Sequence, residues 1–129
     1  MSLAFPTTEA HVAAAERDLG VKLPAEYRMR LMARNGDELS TAGDDWRVFP
    51  VLDATNPRTA ARSTGHIVEE TRKARAVEGF PRDAVAIASN GAGDYLVFLP
   101  EGRSGTLNPQ VQVWSHETRK CKPSPLNFR

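Results

Sequence analysis

The sequence predicts an α+β fold: a central, mainly antiparallel sheet with helices packed against it. Three observations carry that prediction. Helical periodicity dominates the first third of the chain, apolar runs flanking turn residues dominate the last third, and one longer helical pattern lies between. Helices segregated from a run of consecutive strands are the mark of this class. The clearest stretch is 84–100, where Val85-Ala86-Ile87-Ala88 and Tyr95-Leu96-Val97-Phe98-Leu99 flank Asn90-Gly91-Ala92-Gly93-Asp94. Asn-Gly between β-formers is a strong hairpin signal. Both arms are nearly continuous in hydrophobicity, which places the hairpin in the middle of the sheet, covered on both faces.

In order along the chain, Thr7 or Thr8 caps a first helix that starts at Glu9, and Val12, Ala15 and Leu19 form its apolar stripe up to Gly20. After Val21-Lys22-Leu23, Pro24 suits the first position of a second helix. Tyr27, Leu31 and Met32 face its core side, and Glu26 and Arg30 are expected to pair outside. Asn35-Gly36 closes that helix, and the two helices are expected to pack as an antiparallel pair. Residues 37–45 read as a surface loop from their Asp, Gly, Ser and Thr content. Trp46 to Leu52 reads as a strand, with Pro50 favouring a sheet edge or bulge and Asn56-Pro57 ending the element. A third helix is expected from Gly65 to Glu78, with Ile67, Thr71, Ala74 and Val77 on its inner face and Glu69 and Lys73 outside. Val111 to His116 alternates as a half-exposed strand should, and 120–129 reads as an irregular or edge segment.

At 129 residues the chain holds one core, and the domain is placed at 4–129. Met1-Ser2-Leu3 is compatible with a cloning remnant and stays outside the fold reasoning. A formal charge of +1 offers no global field for nucleic acid or an anionic membrane. The single cysteine, Cys121, excludes an internal disulfide framework and suits a reducing, cytoplasmic setting. No apolar run approaches the roughly 18 residues that a spanning helix needs.

The chemistry-bearing residues give a thin signal. Gly91-Ala92-Gly93 is followed by a strand and not a helix, so it reads as a tight turn and not a phosphate loop. His11, His66 and His116 show no metal-ligand spacing. Asp94, His116 and Glu117 would have to converge to work as a metal site or an acid–base group, and otherwise Asp94 caps backbone amides. Lys120 and Lys122 flank Cys121 and would lower its pKa if they lay close. Charge is uneven: Asp37, Glu38, Asp44, Asp45 and Asp53 stand against Arg47 alone, while Arg103, Arg119, Lys120, Lys122 and Arg129 follow later. Asp37, Glu38, Asp44 and Asp45, with Trp46 as an aromatic anchor, are the candidate partner-binding residues.

Leu19-Gly20-Val21-Lys22-Leu23-Pro24-Ala25-Glu26-Tyr27-Arg28 and Asn35-Gly36 resemble the opening of the SUKH superfamily, which includes yeast cell-wall-assembly regulators. Ile87 to Leu96 is similar to that family's glycine–aspartate hairpin, and Val111 to Glu117 to its final Val-x-x-Trp-x-His-Glu strand. The resemblance covers nearly all of 9–118 and implies an α+β domain. It also implies that Leu23, Pro24, Tyr27, Asn35, Gly36, Gly91, Gly93, Asp94, Trp114 and His116 are fold determinants, and that no catalytic residue, metal or cofactor carries over. Many bacterial members are immunity proteins that bind a cognate toxin, often a nuclease. Three functions follow: an immunity-type module with a toxin partner, a hydrolase using Asp94, His116 and Glu117, or a regulatory scaffold for another protein.

Overall fold

Residues 5–128 are described by the computed structural model, and within them four helices and eight strands follow one another. Helices α1 (Glu9–Leu19) and α2 (Ala25–Ala33) come first. Strands β1 (Glu38–Thr41) and β2 (Asp44–Val48) follow, then helices α3 (Pro57–Arg62) and α4 (Ile67–Arg75). The chain closes with β3 (Val85–Ser89), β4 (Tyr95–Phe98), β5 (Pro100–Glu101), β6 (Thr106–Leu107), β7 (Gln112–Trp114) and β8 (Cys121–Pro123). Six strands form one antiparallel sheet in the order β1-β2-β3-β4-β7-β8, and β5 pairs with β6 separately. Met1 to Ala4 and Arg129, including the last of the tail's basic residues, lie outside the described residues.

The hairpin at 84–100 holds the predicted central place. Val85 to Ala88 and Leu96 to Phe98 are all buried, because both faces of these strands are covered. The register slips between Ala86 and Ala88, a bulge that re-aims Ile87. Its carbonyl accepts from the Phe49 amide at 2.8 Å, so pairing to the chain after β2 continues past the strand's formal end. Helix α4 lies against β3: Thr71 Oγ1 donates to the Ala86 carbonyl at 3.2 Å and accepts from the Ala86 amide at 3.1 Å.

Gly20 ends α1 as expected, with φ 77° and its amide donating to the Glu16 carbonyl at 2.8 Å. Thr8 occupies the N-cap position without capping: its hydroxyl lies 2.8 Å from His11 Nδ1, and Thr7 Oγ1 donates to Asp53 at 2.7 Å. Pro24 stands one residue outside α2. Arg30 does not pair with Glu26. Its guanidinium lies over the Phe128 ring at 5.7 Å, and Nη2 is 3.8 Å from Asp37, because α2 presents that face to β1 and the C-terminal segment.

Three other expectations need correction. Residues 37–45 are not a loop: they hold β1, whose four mostly polar residues give no strand signal, the turn, and the start of β2. β2 begins two residues before the strand expected from Trp46 and ends at Val48 instead of Leu52. Asn56-Pro57 does not close an element; it opens α3, where Asn56 accepts from the Thr59 amide in a capping box with proline in the first turn. Helix α4 is shorter than predicted and stops at Arg75, which leaves Val77 39% exposed beyond its end. The tail does supply an edge strand, β8.

Candidate functional site

The acidic stretch singled out by its charge is carried on β1–β2, the outer hairpin of the sheet. Pairing sets Glu38 opposite Arg47 and Ser40 opposite Asp45, so these four share one face, and all four are exposed. The opposite face holds Leu39, Thr41, Asp44 and Trp46. A groove lined by Glu38, Ser40, Asp45, Arg47, Ser89 and Asn90 runs across the exposed face toward the tip of the central hairpin.

The hairpin is held by specific bonds. Asp37 is 2.6 Å from Arg34 Nε, and its carboxylate also accepts from the Glu38 amide at 2.8 Å. Asp44 accepts from Asn90 Nδ2 at 2.8 Å, and Asp45 accepts from Ser40 Oγ at 2.8 Å. Trp46, expected to be an exposed anchor, is only 3% exposed: it faces the core, and Nε1 donates to Thr41 Oγ1 at 3.0 Å. Asp37 likewise serves the arginines of α2 and its cap. The carboxylates left to face solvent are Glu38 and Asp45, with Asp44 half-buried beside them.

Asn90 and Asp94 explain the glycine-flanked turn. Asn90 Oδ1 accepts from the amides of Ala92 and Asp94 at 2.9 and 3.2 Å, which folds the turn back on itself. Gly91 and Gly93 take positive φ, 78° and 104°, and a Cβ on Gly93 would lie 3.1 Å from the His116 ring. Asp94 Oδ1 accepts from the His116 amide at 3.0 Å and lies 2.6 Å from His116 Nδ1. Burial works against ionisation of Asp94, but the bonds from His116 and Asn90 outweigh it and lower its pKa. Asp94 and His116 therefore meet, and they tether the β3–β4 turn to the end of β7. Glu117 does not complete a triad with them: among the described residues no three His, Cys, Asp or Glu side chains are grouped to hold a metal ion.

The Cys121 thiol pKa is raised by burial, so the flanking lysines do not activate it. The other family-motif residues serve the core. The Leu23 amide donates to Glu16 Oε2 at 2.7 Å, and Tyr27 stacks edge-on against Phe98 and Phe128. Gly36, at φ 70°, passes so close to Pro50 that a Cβ would lie 3.0 Å from it.

Asp53, counted among the acids by sequence, is a buried hub. Thr7 and Thr59 hydroxyls and the Thr55 amide donate to its carboxylate, and His11 Nε2 lies 3.5 Å away. Burial opposes its ionisation, but the Thr55 and Thr7 bonds and nearby His11 prevail and lower its pKa to about 2. A carboxyl depressed on folding stabilises the fold above its unfolded value of about 3.9, and that contribution is lost as pH falls toward 2. Acid unfolding of the wild type is expected to show a loss of about 2 kcal/mol across this window that Asp53→Asn lacks. Equal pH profiles for the two proteins by circular dichroism in urea would contradict the assignment.

The architecture defines an α+β domain built on one antiparallel sheet with helices packed against it. A sequence profile of the SMI1/KNR4 family (SUKH-1) matches residues 6–128, and the chain belongs to that family. Comparisons with curated proteins and with solved structures gave no match. No helix among the described residues is long and apolar enough to cross a membrane.

Proposed function

We infer that this chain is a non-enzymatic, cytoplasmic binding module of the immunity type, which neutralises a cognate bacterial toxin by occluding it directly. Family membership supports an immunity-like or regulatory role. The observation that carries the choice is the exposed face of β1–β2, where Glu38 and Asp45 project from a hairpin braced by Asn90 and Arg34. Two carboxylates against the one guanidinium of Arg47 leave that face net negative, which suits the lysines and arginines that a nuclease presents to a phosphate backbone. Opposite charge steers and orients the encounter, and a braced hairpin loses little entropy on docking. Asp44, Asp37 and Trp46 act from behind by fixing the hairpin's shape. The Asp94–His116 pair is a tether in this reading and performs no reaction.

The test is purification with the toxin domain encoded beside this gene, at about 50 mM salt, where charge attraction reaches furthest. A complex that weakens at least tenfold in Glu38→Lys/Asp45→Lys is expected. No binding by any neighbouring toxin domain at that salt overturns the proposal.

A further inference from the structure

The two edges of the main sheet differ. β8 is protected: the amide of Ser115 donates to the Lys120 carbonyl and that of Ser124 to the Val111 carbonyl. Alternation along an antiparallel pair therefore turns the backbone groups of Cys121 and Pro123 outward, and proline has no N–H to offer. Lysine and proline on an edge discourage strand addition.

β1 lacks such protection. The Val48 amide donates to the Asp37 carbonyl at 2.7 Å, so Asp37, Leu39 and Thr41 face β2, while Glu38 and Ser40 turn their backbone groups outward. The Glu38 amide is taken by the Asp37 carboxylate. The free rim thus consists of the Glu38 and Ser40 carbonyls and one donor, the Ser40 amide. It is rich in acceptors, and the exposed Glu38 side chain lies on it, while Asp45 sits one strand further in on β2, bonded by Ser40 Oγ. β1 also carries no proline, lysine or bulge.

The geometry points to β1 as a strand-addition site that takes an extended basic segment of the partner protein as a seventh strand. It rests on the partner-binding reading above and gives it a geometry. The incoming strand donates amides to the Glu38 and Ser40 carbonyls and accepts from the Ser40 amide. Its alternate lysines or arginines fall on the exposed face, beside Glu38 and Ser40, with Asp45 across β1, and the residues between them lie on the face of Leu39.

The probe is an acetylated, amidated Thr-Lys-Val-Lys-Val-Lys-Thr peptide titrated into the full chain labelled with ¹⁵N. Saturating peptide is expected to slow hydrogen exchange of the Ser40 amide at least tenfold. Methylating alternate peptide nitrogens, or replacing lysine by glutamate, is expected to weaken binding at least tenfold. An unchanged Ser40 exchange rate, or equal binding of the methylated peptide, overturns strand addition. Ser40→Pro, which removes the outward donor, is expected to weaken both the peptide and the toxin complex; should that variant not fold, the peptide series still decides. A toxin that binds wild type and Ser40→Pro equally sinks this inference and leaves the immunity reading standing. Peptide addition without any toxin binding does the reverse.

Discussion

Replacing Trp114 by alanine is expected to cost about 3–5 kcal/mol of folding stability, the range for removing a large aromatic side chain from a core. Trp114 is fully buried on β7 and meets Phe80 edge-on at 5.3 Å and Tyr95 at 6.1 Å. Its Nε1 also donates to the Gly79 carbonyl at 3.2 Å, which ties the sheet to the turn after α4. Truncation therefore leaves a cavity, removes two ring contacts and frees a carbonyl. With total stabilities of small domains about 5–15 kcal/mol, that is about a fifth or more of the whole. Urea denaturation measures it, and Trp114→Phe, which keeps a ring, should lose distinctly less. A loss under about 1 kcal/mol for the alanine variant would contradict the packing described here.

The second large effect is expected at Asn35. This side chain is 2% exposed and makes a reciprocal pair of bonds to Val51: Nδ2 donates to its carbonyl at 2.9 Å, and Oδ1 accepts from its amide at 2.8 Å. An amide side chain thus acts as a rung of sheet, joining the end of α2 to the segment after β2. Alanine leaves the buried Val51 amide and carbonyl without partners, at a cost of about 2–4 kcal/mol. The loss is also expected to reach the β1–β2 face proposed above to meet a partner. The neighbouring Gly36–Pro50 approach and the Arg34–Asp37 pair set where β1 begins. Asn35→Ala should therefore speed hydrogen exchange in β1 and β2 more than in β3 and β4, and uniform change across the sheet would refute the coupling. Asn35→Asp separates the two bonds, since a carboxylate still accepts from the Val51 amide but no longer donates to its carbonyl.

Much of the framework was legible because it is local. Turn chemistry at Asn90-Gly91 and the apolar arms around it predict β3–β4, and their burial on both faces follows from the lack of alternation. The stop at Gly20 is read from a few neighbouring residues; the strand expected over Val111–His116 forms as Gln112–Trp114, without the expected alternation in burial. β1 and α3 were not legible, for the same reason in reverse, and the strand expected over Trp46–Leu52 matches β2 only at Trp46–Val48. β1 is a four-residue polar strand that becomes a strand only because β2 pairs with it, and α3 is six residues long with no buried side chain. Too short to show a period, both are specified by contacts and caps.

The candidate site divides along the same line. Sequence alone determined that an acidic segment precedes a tryptophan, that a glycine-flanked turn carries Asp94, and that the histidines have no ligand spacing. Only the tertiary structure decided which of those charges reach solvent. Asp53 is drawn inside by partners up to 46 residues away, Asp37 is claimed by α2, and Trp46 faces the core. Glu38 and Asp45 remain outside because cross-strand register puts them on the open face. Charge and periodicity are properties of neighbours in the chain, whereas burial and pairing depend on residues that meet only after folding.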